Sequence, residues 1–406
     1  MLKNSPISLT DLRAYSRLAV DATLGVTDLV ENLHHNVSRL PGVFGVPVEE
    51  PTAGITGLVY RSIRGVTRKV GGGVDSLLAA VTPKREHEFS PDSREALRAA
   101  LNGVVGDHLE ARANPLRIEM NLRHDGRALV LDRESLVTVL PRARRRIVVL
   151  AHGLCMSDRQ WQRHGHNHGA ALERDAGFTP IYLQYNSGLH ISCNGREFAC
   201  QLEALMSAWP VDVDELVLVG YSMGGLIARS ACHQAAALGH TWQKHLRKII
   251  FLGTPHAGSP LERSGNRLDA LLGASPYTAA LARLGKVRSA GITDLRHANL
   301  SDEDWHGQDR FARGVRSSEL VPLPRGVRCY AIAGTLAKKP GGRRGSIVGD
   351  GLVPLSSALG HHADQSRHLS LPESRQWVGY GISHLDLLDN ADVYAQLHAW
   401  VTEPVR

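Results

Sequence analysis

The chain beyond residue 146 alternates short apolar runs with stretches of helical periodicity. Strands that alternate with helices form a mostly parallel sheet with helices on both faces, so this pattern restricts the fold to the α/β class. Ligands of such sheets bind at the carboxyl ends of the strands, and the residues after each run are therefore candidates for a functional site. The runs are Ile147–Ala151, Thr179–Leu183, Glu215–Gly220, Ile249–Leu252 and Arg328–Ile332.

Residues 1–112 have a different pattern. Apolar residues recur there every three or four positions, which predicts three helices, the third over residues 90–112. Residues 116–132 then alternate apolar and polar side chains on both sides of a His-Asp-Gly turn, which predicts a β-hairpin. The predicted organisation is a helical N-terminal extension over residues 1–112 and an α/β domain over residues 113–406.

Composition and charge narrow the class of function. Of the 406 residues, 43% are hydrophobic, which is typical of a soluble globular protein. The net charge is +7, but the basic residues are spread along the chain and only 5% of residues are aromatic. Nucleic-acid binding is therefore not predicted. The five cysteines form no CxxC and no Cys/His zinc spacing, which favours reduced thiols in the cytoplasm.

No stretch of the sequence predicts insertion into a membrane. The N-terminus lacks the apolar core of a secretory signal, and no run approaches the ~18 apolar residues of a transmembrane helix. We expect a cytoplasmic protein. The basic amphipathic helices of residues 1–112 leave peripheral membrane or partner contact open, and the oligomeric state is not predicted.

The sequence GYSMGG places Ser222 between a buried strand and a helix that begins near Leu226. A sharp strand-to-helix turn lifts a serine clear of the backbone so that a carbonyl can approach it. Bulky side chains would clash in such a turn, which favours Gly220 and Gly224. The helix N-terminus also stabilises negative charge at the serine. The pattern predicts Ser222 as a nucleophile.

A tetrahedral oxyanion needs a second donor from another loop. The segment that follows the first strand supplies it, because Gly153 allows the backbone to turn its N–H groups inward. We assign the oxyanion hole to the backbone N–H groups of Leu154 and Met223. Cys155 lies beside this loop, but no base stands at a recognisable spacing from it, so a catalytic thiol is not favoured.

An acid and a base must follow the serine in this architecture, in the order Ser, Asp or Glu, His. Asp350 lies between two glycines, and His384 lies between a short apolar stretch and the final helix. We predict Asp350 as the acid and His384 as the base. Asp386 is expected to cap the helix after His384, and Asp364 to belong to a polar loop.

Five motifs taken together resemble α/β-hydrolases of the lipase type, specifically bacterial triacylglycerol lipases and GPI inositol-deacylase-like lipases. The resemblance covers about residues 115–402 and does not cover residues 1–112. It implies the α/β-hydrolase fold, with Ser222 as nucleophile, Asp350 as acid, His384 as base, and the oxyanion donors named above. The motifs are HGL (152–154), GYSMGG (220–225), LGTPHAGS (252–259), GDGLVP (349–354) and GISH (381–384).

Residues 260–325 interrupt the alternation of strands and helices, at a place where such hydrolases carry a cap. An amphipathic segment there could be a movable lid that excludes water or a fixed cap that shapes the pocket, and the sequence leaves both open. His256, in the preceding motif, is expected to have a structural or pocket-lining role.

Two further segments carry polar residues. Asn186 and Ser187 follow the second strand and could line the site, although a turn is favoured. His164, His166 and His168 stand at alternate positions, but no carboxylate or cysteine partner stands at metal-ligand spacing, so metal binding is not predicted.

The sequence thus favours a serine hydrolase, of the lipase or esterase kind, that cleaves acyl esters of lipid metabolism without a metal or organic cofactor. Acyl transfer or thioester hydrolysis at the same site is an alternative. A second hypothesis, from another class, is a membrane-surface or partner-binding protein with a subsidiary hydrolase site, and it depends on residues 1–112.

Overall fold

One sheet of eight strands forms the centre of the described part of the chain. The computed structural model describes residues 91–259, 289–307, 321–339, 349–362 and 364–404. The strands are β1 (Asn121–His124), β2 (Arg127–Ala128), β3 (Arg146–Ala151), β4 (Thr179–Gln184), β5 (Glu215–Tyr221), β6 (Leu246–Leu252), β7 (Arg328–Thr335) and β8 (Gln376–Tyr380). Their order is β2-β1-β4-β3-β5-β6-β7-β8. Strand β1 pairs antiparallel with β2 and β4, and the other neighbours are parallel.

Helices connect the parallel strands. The α-helices of the described residues are α1 (Pro91–Ala111), α2 (Arg133–Val139), α3 (His168–Ala176), α4 (Ile191–Ala208), α5 (Met223–Leu238), α6 (Ala290–His297), α7 (Leu355–Ala358) and α8 (Ala391–Thr402). None of them has the length and hydropathy that a transmembrane span requires.

Both faces of the sheet are buried, which explains why its strands are continuous apolar runs. In β3, Ile147 and Val149 belong to one hydrophobic cluster, whereas Val148 and Leu150 belong to a second. Helices α4 and α5 contribute to the first cluster, and α3 and α8 to the second. Helices therefore cover both faces, and the carboxyl ends of the parallel strands form the edge where the site residues lie.

The predicted α/β class and the hairpin are confirmed, and the five predicted runs are strands β3 to β7. The predicted runs contain no counterpart of β8. This strand lies at the edge of the sheet, where only Gly379 is fully buried, so its residues do not form an apolar run. Its position matters because it leads directly into the segment that carries His384.

The third predicted helix is present as α1. Residues Arg94–Glu110 belong to the same compact unit as Arg117–Arg406, which contains the sheet. The other unit consists of Met1–Ser93 and Ala111–Leu116, of which the structure describes only residues 91–93 and 111–116. The first two predicted helices lie outside the described residues, and the boundary at residue 112 stays a prediction.

The described part of the predicted cap is anchored by buried polar contacts. Asp294, on α6, is fully buried and accepts hydrogen bonds from His190 Nδ1 (2.9 Å), the Ile191 backbone N–H (2.9 Å) and Asn299 Nδ2 (2.9 Å). Ser230 Oγ on α5 donates to the Leu300 carbonyl at 2.6 Å. Residues 289–307 are therefore fixed to α4 and α5, whereas the amphipathic segment before residue 289 lies outside the described residues.

Candidate active site

The turn between β5 and α5 holds Ser222 in a left-handed backbone conformation, with φ of 54° and ψ of −121°. This turn depends on two glycines. A Cβ on Gly220 would overlap the backbone of Gly225, at 2.5 Å from its nitrogen, and one on Gly224 would overlap the backbone of Ala151. The glycines at these positions therefore allow α5 to approach β3 and β5 closely.

Ser222 is only 4% exposed, yet its side chain lines a cavity. Its backbone N–H donates to the Leu252 carbonyl at 2.8 Å, and its own carbonyl accepts from the Gly225 N–H at 3.1 Å. These bonds fix the turn from both sides. Because Ser222 is the residue before the first turn of α5, the free N–H groups of that turn are adjacent to its hydroxyl.

The loop after β3 approaches the serine closely. A Cβ on Gly153 would stand 3.2 Å from Ser222 Cβ and 3.1 Å from the Tyr221 ring, so a side chain there would require these neighbours to shift slightly. Leu154 and Met223, the predicted oxyanion donors, are both buried. Neither backbone N–H has an acceptor among the hydrogen bonds of the described residues.

A buried histidine orients this loop. His152 Nδ1 lies 2.9 Å from the Gly153 carbonyl, which can only accept, so Nδ1 carries the proton. The Gly153 carbonyl and the Leu154 N–H belong to one planar peptide and point in opposite directions. Holding the carbonyl therefore aims the N–H away from the His152 ring. Burial lowers the pKa of His152 to about 3, so the ring is neutral at physiological pH.

Asp350 and His384 form a buried hydrogen-bonded pair. His384 Nδ1 and Asp350 Oδ2 are 2.6 Å apart, and both residues are 2% exposed. The other carboxylate oxygen accepts from the N–H groups of Leu352 (3.0 Å) and Val353 (2.8 Å). The backbone N–H of His384 donates to the Asp350 carbonyl at 3.0 Å. The carboxylate thus holds the proton on Nδ1 and leaves Nε2 as the basic nitrogen.

The remaining nitrogen of His384 has no hydrogen-bond partner among the described residues. Both His384 and Ser222 line the same cavity of about 180 Å³, and the fold therefore brings the three residues predicted as a triad to one place. The residues that line the cavity are Ala96, Gly153, Leu154, Cys155, Met156, Gln160, Gln162, Arg163, Tyr221, Ser222, His384, Leu385 and Leu388.

The alternative candidates for the acid and for the nucleophile lack the contacts or the protonation state that these roles require. Asp386 does not cap the following turn. It accepts from the Ser383 N–H at 3.0 Å and the Ser383 hydroxyl at 2.5 Å. Asp364 begins a short 3₁₀ turn in an exposed polar loop, as predicted. Cys155 lines the cavity, but burial raises the pKa of its thiol to about 12, so a thiolate is not available.

The other polar residues named in the sequence are structural. The Asn186 side chain accepts from the Gly188 N–H at 3.0 Å, which makes the predicted turn, and Ser187 Oγ accepts from the Cys155 N–H at 3.0 Å. Neither side chain lines the cavity. His256 is buried against the Phe251 ring and the Arg229 side chain. All five cysteines are free thiols.

The histidines near residue 166 hold the segment after His384. His166 Nε2 donates to His168 Nδ1 at 2.8 Å, and His168 Nε2 donates to the Leu387 carbonyl at 3.0 Å. His164 Nδ1 lies 2.6 Å from Asp389 Oδ2. The 3₁₀ turn Leu385–Leu388, which follows the predicted base, is thus attached to the start of α3. No local sequence pattern predicts this contact, because it joins residues more than two hundred positions apart.

Helix α1 contributes a wall of the cavity through Ala96, although the resemblance begins only after this helix. The short 3₁₀ turn Asp158–Trp161 adds Gln160 to the rim. Sequence analysis missed both contributions. The only available signal was the pair Gly103 and Gly106 within a helical pattern, since glycines inside a helix often mark close packing.

We predict that His168→Gln reduces the loss of stability on acidification. Burial lowers the pKa of His168 to about 4, against about 6.5 in an unfolded chain. Between these values the unfolded state binds a proton that the folded state does not, so stability falls as the pH drops from 6.5 to 4, by roughly 3 kcal/mol. Tm measured from pH 7 to 4 should decline less in His168→Gln than in the wild type.

The exposed His233 on α5 provides the matched control. His233→Gln should retain the wild-type decline of Tm. An equal decline in His168→Gln and the wild type would contradict the assignment of a buried neutral imidazole at residue 168.

Comparison with known proteins supports the fold at family level. Residues 142–321 match a family model described as PGAP1-like alpha/beta domain. This range contains β3 to β6, the loop with Leu154, and Ser222. A search of curated proteins finds no match to this chain.

Solved structures with a detectable similarity include lipases and esterases. Mature lipase BlEst2 from Bacillus licheniformis is 18% identical and covers 63% of this chain and 92% of its own, with a TM-score of 0.40. EstA from Clostridium botulinum is 11% identical and covers 65% and 88%, with a TM-score of 0.39. Lipase B from Aspergillus fumigatus is 12% identical and covers 62% and 50%, with a TM-score of 0.38. Similarities this distant assign no activity to the chain.

The sheet order, the serine turn after β5 and the match to a PGAP1-like alpha/beta domain over residues 142–321 together support the α/β-hydrolase fold.

Proposed function

We propose that the protein is a serine hydrolase that cleaves carboxylic esters through Ser222, His384 and Asp350. The observation that carries the proposal is the placement of Ser222, in its strained turn, and of His384, which is hydrogen-bonded to Asp350, on one small cavity. A nucleophile, a base whose tautomer is fixed, and an acid that fixes it are the groups that acyl transfer to a serine requires.

In the first half of the reaction, Ser222 Oγ attacks the ester carbonyl carbon while His384 Nε2 takes the hydroxyl proton. The buried Asp350 carboxylate stabilises the imidazolium cation that forms. The carbonyl oxygen becomes an oxyanion, which the N–H groups of Leu154 and Met223 bind. The bond between carbon and the alcohol oxygen then breaks, and His384 gives its proton to the departing alkoxide.

In the second half, water replaces the alcohol. His384 Nε2 takes a proton from the water, whose oxygen attacks the acyl-enzyme carbonyl carbon. The second tetrahedral intermediate uses the same two backbone donors. Its collapse breaks the bond to Ser222 Oγ, returns the proton to that oxygen and releases the carboxylic acid. Each step uses only residues of the chain and water.

The cavity favours a short acyl chain. Its volume of about 180 Å³ is below the ~300–1,000 Å³ typical of pockets for drug-sized ligands. Apolar side chains line part of it, namely Leu154, Met156, Leu385 and Leu388. We therefore propose an ester of a short acyl chain as the substrate. Nothing in the lining identifies the alcohol part.

Replacing the nucleophile tests the central claim. We expect wild-type protein to hydrolyse p-nitrophenyl esters and Ser222→Ala to lose at least about a thousandfold in kcat. Initial rates on acetyl, butyryl, octanoyl and palmitoyl esters provide the measurement. The Tm of the variant should stay close to that of the wild type, because the change removes one oxygen. Equal activity of the two proteins would show that Ser222 is not the nucleophile.

Replacing the acid tests the pairing with His384. In Asp350→Asn the amide nitrogen that faces Nδ1 can donate but not accept a hydrogen bond, so the imidazole adopts the wrong tautomer and kcat should fall by about 10³ to 10⁴. Asp386→Asn is the matched control, because Asp386 lies two residues after His384 but binds Ser383. We expect the control to keep nearly full activity. A larger loss in the control than in Asp350→Asn would reassign the acid.

Ala96 on α1 is expected to limit acyl length. Ala96→Leu adds three carbons to the cavity wall, so kcat/KM for the octanoyl ester should fall by about tenfold while the acetyl ester is little affected. Ala170→Leu, at an exposed position of α3, is the control and should leave the chain-length profile unchanged. An unchanged profile in Ala96→Leu would mean that the acyl chain binds elsewhere.

A further inference from the structure

Helix α1 packs backbone to backbone against the loops that surround the cavity. A Cβ on Gly103 would overlap Cys155, at 2.9 Å from both its Cα and its backbone nitrogen. A Cβ on Gly106 would overlap the Asn186 side chain, and one on Gly188 would overlap the backbone of α1, at 2.7 Å from the Gly106 nitrogen. A larger residue at any of these positions would push α1 away from the loop after β3, which carries Cys155, or from the loop after β4, which carries Asn186 and Gly188.

The helix bends at this contact. Val105 has φ of −132° and ψ of 20°, which are not helical values. Donors from outside the helix bind carbonyls on either side of the bend: Ser289 Oγ donates to the Gly103 carbonyl at 2.6 Å, and Asn186 Nδ2 donates to the Gly106 carbonyl at 3.0 Å. Side chains that insert into the hydrogen-bond ladder are an established cause of kinks. The bend in α1 therefore accompanies its hydrogen bonds with Ser289 and Asn186.

Through Cys155 the contact reaches the oxyanion loop, the segment of residues 152–155 that carries the predicted donor Leu154. Cys155 directly follows Leu154. Its left-handed φ of 60° restricts the backbone conformation at this position. Its N–H donates to Ser187 Oγ at 3.0 Å, and the neighbouring Asn186 is tied to α1. Cys155 is thus held between Gly103 on one side and the loop after β4 on the other.

We propose that Gly103 is a positioning residue for the oxyanion hole: its lack of a side chain lets α1 press the backbone of Cys155 into the place that aims the Leu154 N–H at the cavity. This inference rests on the proposed function. It makes α1 part of the catalytic architecture, although the resemblance to lipase-type hydrolases does not extend to this helix. A misplacement of about 1 Å at a reacting group can cost a hundredfold in rate.

Gly103→Ala is the direct test. The methyl group must displace Cys155, so we expect kcat for p-nitrophenyl acetate to fall by about tenfold or more while KM changes by less than about twofold. Loss of an interaction made only in the transition state produces this split. Unchanged kcat in a folded Gly103→Ala protein would overturn the proposal.

Two further variants separate positioning from general damage. Gly195→Ala places the same methyl group at the contact of α4 with Ser230 on α5, where it would overlap the Ser230 side chain, which does not line the cavity. It should lower Tm, and its loss of kcat should be smaller than that of Gly103→Ala. Cys155→Gly in the Gly103→Ala background removes the Sγ contact and suits a left-handed φ, while the 2.9 Å contacts with the Cα and nitrogen of residue 155 remain, so it should restore part of the lost kcat. Failure of this rescue would count against the proposal.

Ser289→Ala keeps the test decisive if Gly103→Ala does not fold. It removes the hydroxyl that binds the Gly103 carbonyl and adds no atom. We expect kcat to fall by about threefold with KM unchanged, and an unchanged kcat would overturn the proposal. A wild type that hydrolyses no ester would overturn the proposed function and this inference together, whereas an active wild type with unaffected variants would overturn this inference alone.

Discussion

The close approach of α5 to the ends of β3 and β5 is the constraint on which the rest of the site depends. Gly224 stands against the Ala151 backbone, where a side chain would lie 2.6 Å from the His152 carbonyl oxygen. The same contact sets the left-handed turn at Ser222 and the distance from the serine to the loop with Leu154. A strained residue of this kind costs on the order of 1–3 kcal/mol. The bond from its N–H to the Leu252 carbonyl helps to offset that cost.

Around this contact, buried and neutral side chains hold the backbone in place through hydrogen bonds. Tyr185 donates its hydroxyl to the His152 carbonyl at 2.7 Å and stacks on the His152 ring, which in turn binds the next carbonyl. Tyr221 donates to the His384 carbonyl at 3.1 Å. Two consecutive peptides of the oxyanion loop and the backbone of the predicted base are thus held by aromatic side chains that do not take part in proton transfer. Such supports keep donors oriented before the substrate arrives, which is the condition for electrostatic stabilisation of an oxyanion.

The sequence predicted those parts of the fold whose signal is local. The apolar runs of β3 to β7 are visible because both faces of the sheet are buried, and the glycines around Ser222 are visible because the turn itself requires them. Strand β8 was missed because an edge strand carries no such run. The hydrogen bond that holds the segment after His384 was not predicted, because it joins His168 to Leu387, which meet only after folding. The order of Ser222, Asp350 and His384 could be read from the sequence, whereas their distances depend on how the loops that carry them converge.

Helix α1 shows where a prediction from periodicity falls short. The sequence pattern predicts the helix but not its packing partner, and it groups the helix with residues 1–112 because that whole segment has helical periodicity and the period changes after it. Yet Asn102 Oδ1 accepts from the Ile118 N–H at 2.9 Å, and Asn102 is fully buried. Deleting residues 1–112 would leave the Ile118 N–H without this acceptor and would remove the cavity wall that α1 forms. A loss of activity in that variant would therefore say nothing about residues 1–90. Any role of those residues at a membrane must be separated from α1, because α1 carries Gly103 and Ala96.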